Sequence, residues 1–171
     1  MQIVTDYAAD IFPEQLDGFE IHYVPMRITI DGKTYRSGID ITSGEFYELQ
    51  AKAKEIPTTS QPSPGDFAEL YRKIAKDDPD ILSIHMSSGL SGTVNSARIA
   101  AKSVPEANIE IYDSKGISGA VGWHIEVAAK AVRAGFDKAR ILSLLKQVTE
   151  ATETFFMLST LKYVIPGGRL S

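Results

Sequence analysis

The feature that most constrains this chain is an alternation. Short apolar runs rich in β-branched residues, at 2–6, 21–30, 81–86, 109–112 and 154–158, recur between longer stretches whose apolar residues fall at helical spacing. Strands separated by helices bury both faces of a parallel sheet, because each crossover helix must pack back onto it. The expected fold class is α/β: a three-layer domain with a mainly parallel sheet flanked by helices. The 171 residues are enough for one such domain with a real core, and 1–171 is taken as a unit. Run 21–30 departs from the pattern, since it leads into Asp31-Gly32 and then Lys33-Thr34-Tyr35. Asp-Gly is a strong signal for a two-residue hairpin turn, so a small hairpin excursion is expected there.

The helices carry their own start signals. Thr42 and Glu45 have capping-box spacing ahead of Phe46 and Leu49, and Ser63-Pro64 places a cap and an N1 proline ahead of Phe67, Leu70, Tyr71 and Ile74. A third helix follows Ser91-Gly92-Thr93 with Val94, Ala97 and Ala101. A fourth runs over 117–134 and stops at Gly135, and a fifth starts at Asp137 and buries Ile141, Leu144, Leu145 and Val148. Trp123 and the pair Phe155-Phe156 read as core aromatics.

Composition narrows the function classes. The net charge is −4 and the 18 Lys and Arg are scattered, so a nucleic-acid partner is not expected. No apolar run approaches the ~20 residues of a spanning helix, and the first residues have no basic leader, so the chain is expected to be cytoplasmic. The absence of cysteine excludes disulfides, thiolate metal sites and cysteine nucleophiles. His22, His85 and His124 show no metal-ligand spacing and are expected to be satisfied, partly buried histidines; neither metal nor cofactor is expected.

Two segments could carry chemistry: Pro57-Thr58-Thr59-Ser60-Gln61-Pro62-Ser63, and Ser87-Ser88-Gly89-Leu90-Ser91-Gly92-Thr93. The second follows a strand and opens a helix, where free N–H groups and the helix dipole favour an anion. It also falls at the carboxyl edge of a parallel sheet, where ligands bind. Ser and Thr at such places also serve as caps and turn formers, and spacing alone leaves both roles open. Thr58, Thr59, Ser87 and Ser88 are the ligand candidates; Ser60 and Ser63 read as structural. A nucleophile elbow would need glycine at position 93, which holds Thr93, and a Walker loop would need a lysine after Gly92. Asp6 and Asp113 end strands and read first as caps.

Taken in order, Thr5-Asp6, Pro57-Thr58-Thr59-Ser60-Gln61-Pro62-Ser63, Ser87-Ser88-Gly89-Leu90-Ser91-Gly92-Thr93, Asp113-Ser114-Lys115 and Gly167-Gly168-Arg169 resemble the DegV family over the whole chain. The resemblance implies a cytosolic bacterial protein of two α/β domains that holds a long-chain fatty acid. Its carboxylate would be bound by Thr59 and Ser88, with Thr58 and Ser87 beside them and Arg169 near the head group. It also implies a carrier rather than an enzyme, one that presents the acid to a separate fatty-acid kinase. Three departures stand out: Tyr7 where Ser or Thr is usual, Val164-Ile165-Pro166 in place of Leu and basic residues, and a chain that ends before the second domain. The expectation is therefore an N-terminal DegV-like domain over 1–171 whose lipid binding is weakened and whose uncovered surface favours self-association. Two rivals are a transfer enzyme using Ser88 or Ser91 as nucleophile with His85 as base, and a truncated regulatory or interaction module.

Overall fold

The computed structural model describes residues 1–155, 157–160, 164, 165 and 168. The chain divides into two compact units, one built from Met1–Val24 and Pro62–Thr154, the other from Pro25–Gln61 and Phe155–Ser171. In chain order the elements are β1 (Gln2–Asp6), α1 (Pro13–Leu16), β2 (Ile21–Val24), β3 (Arg27–Ile30), β4 (Lys33–Arg36), α2 (Ser43–Lys52) and β5 (Thr58–Ser60). There follow α3 (Pro64–Ile74), β6 (Asp80–His85), α4 (Thr93–Lys102), β7 (Asn108–Asp113), α5 (Gly119–Arg133) and α6 (Lys138–Ala151).

The first unit is an α/β sandwich around a fully parallel sheet of order β2-β1-β6-β7. Its central strands are buried on both faces, which is why 2–6 and 81–86 read as continuous apolar runs rather than as alternations. Val4 and Ile81 pack with Phe67, Tyr71 and Ile74 of α3 and Ala97 and Ala100 of α4. On the opposite face Tyr112 meets His124 of α5 and Thr149 of α6. α3 buries Phe67, Ala68, Tyr71 and Ile74, positions that fall on one stripe of a 3.6-residue helix. Among the described residues no helix is long and apolar enough to cross a membrane.

The start signals do what their chemistry demands. Ser63 Oγ accepts from Asp66 N at 3.1 Å while the Asp66 carboxylate accepts from Ser63 N at 2.8 Å, and Thr42 and Glu45 make the same reciprocal pair. Asp137 caps α6 through Arg140 N at 2.8 Å, and Gly135, at φ 75°, ends the turn after α5.

The second unit holds a three-stranded antiparallel sheet of order β4-β3-β5 and the helix α2. Asp31 and Gly32 both take positive φ, 46° and 81°, as a hairpin turn between twisted strands requires. The Asp31 carboxylate also accepts from the Lys54 and Glu55 amides at 3.1 Å. Ile30 and Ile41 are buried.

Four sequence expectations are corrected. Run 21–30 is two strands in two sheets, broken where Pro25 removes a ladder donor and disfavours continuation. The described residues of 154–158 form no strand: Phe155 and Met157 are 85% and 98% exposed, and no strand pairs with them. Trp123 is not core but 53% exposed, because the buried stripe of α5 runs through Ala120, Val121, His124, Ile125 and Ala128 and turns position 123 outward. Phe155 is likewise exposed, and its neighbour Phe156 lies outside the described residues. The short strand β5 was not anticipated.

Candidate functional site

The carboxyl edge of the parallel sheet is assembled by two loops, 86–92 after β6 and 114–118 after β7. They are tied together by Ser87 N donating to Gly116 O at 2.8 Å and Ser114 N donating to His85 O at 3.0 Å. The first loop winds on itself before α4: Leu90 N and Ser91 N both donate to Ser87 O, and Gly89 N donates to Ser87 Oγ at 3.2 Å. Gly92 stands at the N-cap of α4 and offers no side chain to its first amides. Ser87 is half-buried and its oxygen serves the turn, whereas Ser88 is exposed. Of the two roles that spacing left open, Ser87 takes that of turn former.

Ser88 sits in a small charged cluster. Its amide donates to Asp113 Oδ1 at 3.2 Å, and its hydroxyl oxygen lies 3.4 Å from Lys115 Nζ, which also donates to Asp113 Oδ2 at 2.6 Å. Lys115 N donates to Asp113 Oδ1 at 3.1 Å, closing the turn with Lys115 at φ 57°. Burial pushes the Asp113 carboxyl up, but hydrogen bonds from Lys115 and Ser88 outweigh it and hold its pKa below the usual range. Asp113 therefore caps a turn, as expected, and also fixes a cation next to Ser88. Lys115 was visible in the Asp-Ser-Lys triplet, but its contact with Ser88 needs the loop pairing and could not be read from spacing.

Beneath this edge runs a second, buried chain of polar groups. Tyr71 OH lies 2.8 Å from Ser83 Oγ, Ser83 Oγ lies 2.7 Å from His85 Nε2, and His85 Nδ1 lies 2.9 Å from Asp6 Oδ2. Asp6 further accepts from Ala8 N at 2.9 Å and from Met86 N at 3.3 Å. Ser83, His85 and Asp6 are fully buried. A carboxylate only accepts, so Nδ1–H donates to Asp6, while Ser83 Oγ bridges Nε2 and the Tyr71 hydroxyl. Burial raises the Tyr71 phenol, partly opposed by its bond to Ser83, which keeps it a donor. Phe67 packs edge-on against the His85 ring at 5.0 Å. Both ring nitrogens are committed inside the core, so His85 is not the base that the transfer-enzyme rival requires at Ser88 or Ser91. Thr5 Oγ1, beside Asp6, is buried without a hydrogen-bond partner among the described residues.

The other histidines are satisfied structural groups. His124 Nδ1 is 2.7 Å from Ala120 O and Nε2 is 2.9 Å from Thr149 Oγ1, and His22 Nε2 is 2.9 Å from Gln2 Oε1. Among the described residues no group of three or more His, Asp or Glu could hold a metal ion.

Thr58 and Thr59 belong to the second unit, on β5, where they pair in register with Thr29 and Ile28 of β3 and are exposed. Their hydroxyls stand on an edge strand of the small sheet. Ser63, read as structural, is indeed the cap of α3. Arg169 lies outside the described residues.

Comparison with known proteins places this arrangement. The sequence profile of the DegV family matches residues 1–171. The chain belongs to the DegV family. A DegV domain-containing protein of Staphylococcus aureus strain N315, SA1258, is 38% identical over 169 residues, covering 99% of this chain and 60% of that protein. The DegV domain-containing protein YejH of Lactococcus lactis is 39% identical over 171 residues, 100% of this chain and 61% of its own length. Among solved structures, DegV of Bacillus subtilis, a fatty-acid-binding protein, superposes with a TM-score of 0.92 at 34% identity over 99% of this chain and 60% of that one. The DegV-family protein of Thermus thermophilus, solved for its fatty-acid binding, gives 0.86 at 32% identity, again over 99% and 60%. This DegV-family chain thus spans about three fifths of the length of the relatives it matches.

Proposed function

We propose that this chain binds a long-chain fatty acid through its carboxylate, as one part of a lipid carrier. The observation that carries the reading is the exposed Ser88 hydroxyl, on a glycine-containing loop at the carboxyl edge of a parallel sheet, opening directly into α4. Fatty-acid binding by the Bacillus subtilis and Thermus thermophilus relatives supports the choice of ligand. Ser87 orders the loop and Ser88 donates to the carboxylate. Thr58, Thr59 and Arg169 are assigned to the head group on the resemblance alone.

The energetics favour a carrier. A hydroxyl bonded to a carboxylate contributes roughly 1.5 to 3 kcal/mol, enough to orient the acid and offset part of its desolvation. Each enclosed CH₂ contributes about 0.8 kcal/mol, so the tail dominates affinity wherever it is covered. His85, the base that a transfer enzyme was expected to set at Ser88 or Ser91, is spent on Ser83 and Asp6, and Lys115 and Asp113 beside Ser88 are paired with each other. The carrier therefore turns over nothing itself; it presents the acid to a separate fatty-acid kinase in the cytoplasm, with residues 1–171 acting as the N-terminal domain. Sedimentation over a range of concentrations tests self-association.

The test is direct. Lipids extracted under denaturing conditions from the purified chain are expected to include long-chain fatty acids by mass spectrometry. Palmitate is expected to titrate saturably by calorimetry, and Ser88→Ala should weaken it by about tenfold, the worth of one charge-assisted hydrogen bond. A serine labelled by a fluorophosphonate, with no lipid extracted, would replace this reading with an enzymatic one.

A further inference from the structure

Resting on that reading, we propose that Lys115 is the cation of the headgroup site: an anionic head group seated on the Ser88 hydroxyl is charge-paired by the Lys115 ammonium, and Asp113 is the counterion that keeps the ammonium there. Neither composition nor motif assigned Lys115 a role. The geometry does. Its Nζ lies 3.4 Å from Ser88 Oγ and 2.6 Å from Asp113 Oδ2. An ammonium has three N–H donors; two go to Asp113 and Ser88, which leaves the third for a ligand oxygen. The contact with Ser88 also has a direction: the hydroxyl oxygen accepts from the ammonium, and its own proton, which also serves the Asp113 carboxylate, turns from there to a ligand oxygen.

The backbone around Lys115 is set by constraints that do not involve the ammonium. Lys115 takes φ 57°, a conformation that costs an L side chain strain and a glycine almost nothing, yet the position carries a long basic side chain. The next residue cannot vary: a Cβ on Gly116 would meet Ala120 Cβ at 2.7 Å, at the start of α5. Gly116 O in turn holds Ser87 N at 2.8 Å. Lysine, turn and serine loop are thus fixed relative to one another before any ligand arrives. The two ends of the ion pair differ in exposure, with the Lys115 side chain 62% exposed and Asp113 only 9%. The buried partner is the anchor and the exposed one is free to face a ligand.

The experiment compares an ionised and a neutral head group on the same tail. Palmitate and 1-hexadecanol are titrated into the wild-type chain, Lys115→Met and Lys115→Arg. Lys115→Met is expected to lose about fivefold in palmitate affinity, a value reduced for solvent screening of an exposed charge, while hexadecanol is unchanged. Lys115→Arg keeps most of the preference for palmitate. Raising the salt concentration shrinks that preference in the wild type and leaves Lys115→Met unaffected. If Lys115→Met retains the wild-type ratio of palmitate to hexadecanol affinity, the assignment of Lys115 is overturned while fatty-acid binding stands. If the wild type binds neither ligand saturably, the fatty-acid reading falls and takes this assignment with it.

Discussion

Two clusters at the same end of one sheet share a composition and differ in almost everything else. One is Asp6, His85, Ser83 and Tyr71; the other is Asp113, Lys115 and Ser88. Each sets an aspartate against a basic group and a serine within hydrogen-bond reach. In the first, Asp6, His85 and Ser83 are fully buried and both His85 nitrogens are bonded. In the second, the serine and lysine stand in solvent and one ammonium donor is left over. An Asp-His-Ser sequence of contacts suggests a nucleophile, but a serine with no solvent access and a tyrosine on its far side has nothing to attack. Saturation marks the inner cluster as structure, and exposure with a spare donor is what supports the proposal that the outer one receives a ligand.

The largest way to break that contrast is to remove the anchor of the inner cluster. Asp6→Ala leaves the His85 Nδ1–H and the Met86 amide without their acceptor in a dry environment, and the expected loss is about 1–3 kcal/mol for each donor so stranded. Urea unfolding measures it; a loss below about 1 kcal/mol would mean that the core tolerates the gap and that the relay is not what holds the sheet edge. Ser83→Ala comes next. It strands Tyr71 OH and His85 Nε2 together, at an expected 1–3 kcal/mol, roughly the desolvation cost of unsatisfied buried groups.

That inner cluster also shows where sequence reasoning stops. Hairpin, caps, parallel sheet and the position of the Ser87–Ser88 loop were all legible, since each depends on neighbours within a few residues or on a short period. Asp6 and His85 are 79 positions apart and meet only because β1 and β6 pair with Val4 opposite Ser83. A one-residue slip would turn His85 to the other face, and nothing local fixes that register. The direction of His85 was therefore the point on which the enzyme rival hung. The break at Pro25 was visible as a residue but not as a change of sheet. The failure of 154–158 to form a strand has the same origin: β-propensity describes a fit to a partner, and no described strand lies beside it. Lys115 reaching Ser88 likewise depends on the Ser87–Gly116 bond between two loops.

A smaller effect concerns pH. Burial lowers the His124 pKa, with the bond to Ala120 O partly opposing it, so the folded chain takes up this proton less readily than the unfolded one. The sign follows: the stability associated with neutral His124 is present above the ordinary imidazole range, near 6.5, and is lost as pH falls through that value toward the depressed one. His124 is held against Tyr112, Thr149 and the Ala120 carbonyl, so its protonation requires the Thr149 hydroxyl to turn from Nε2 to Leu145 O. Unfolding midpoints at pH 7.5 and 5.5 are expected to separate less in His124→Gln than in the wild type. Equal separations would show that other groups carry the acid sensitivity.

The smallest effect on stability is also the sharpest on the comparison. Ser88→Ala removes a hydroxyl five positions beyond Ser83, but one that is exposed, and the Asp113 carboxylate it serves keeps Ser88 N, Lys115 N and Lys115 Nζ as donors. The Ser88 amide, which holds Asp113, is untouched by the change. Unfolding is therefore expected to shift by no more than about 0.5 kcal/mol, as for an ordinary surface substitution, even as palmitate affinity falls. Ser83→Ala should behave the opposite way, weakening the fold and lowering binding only as far as the fold is lost. If the two substitutions moved stability and affinity in the same proportion, the division into a structural inner cluster and a ligand-facing outer one would fail, because both serines would then be acting through the same packed edge.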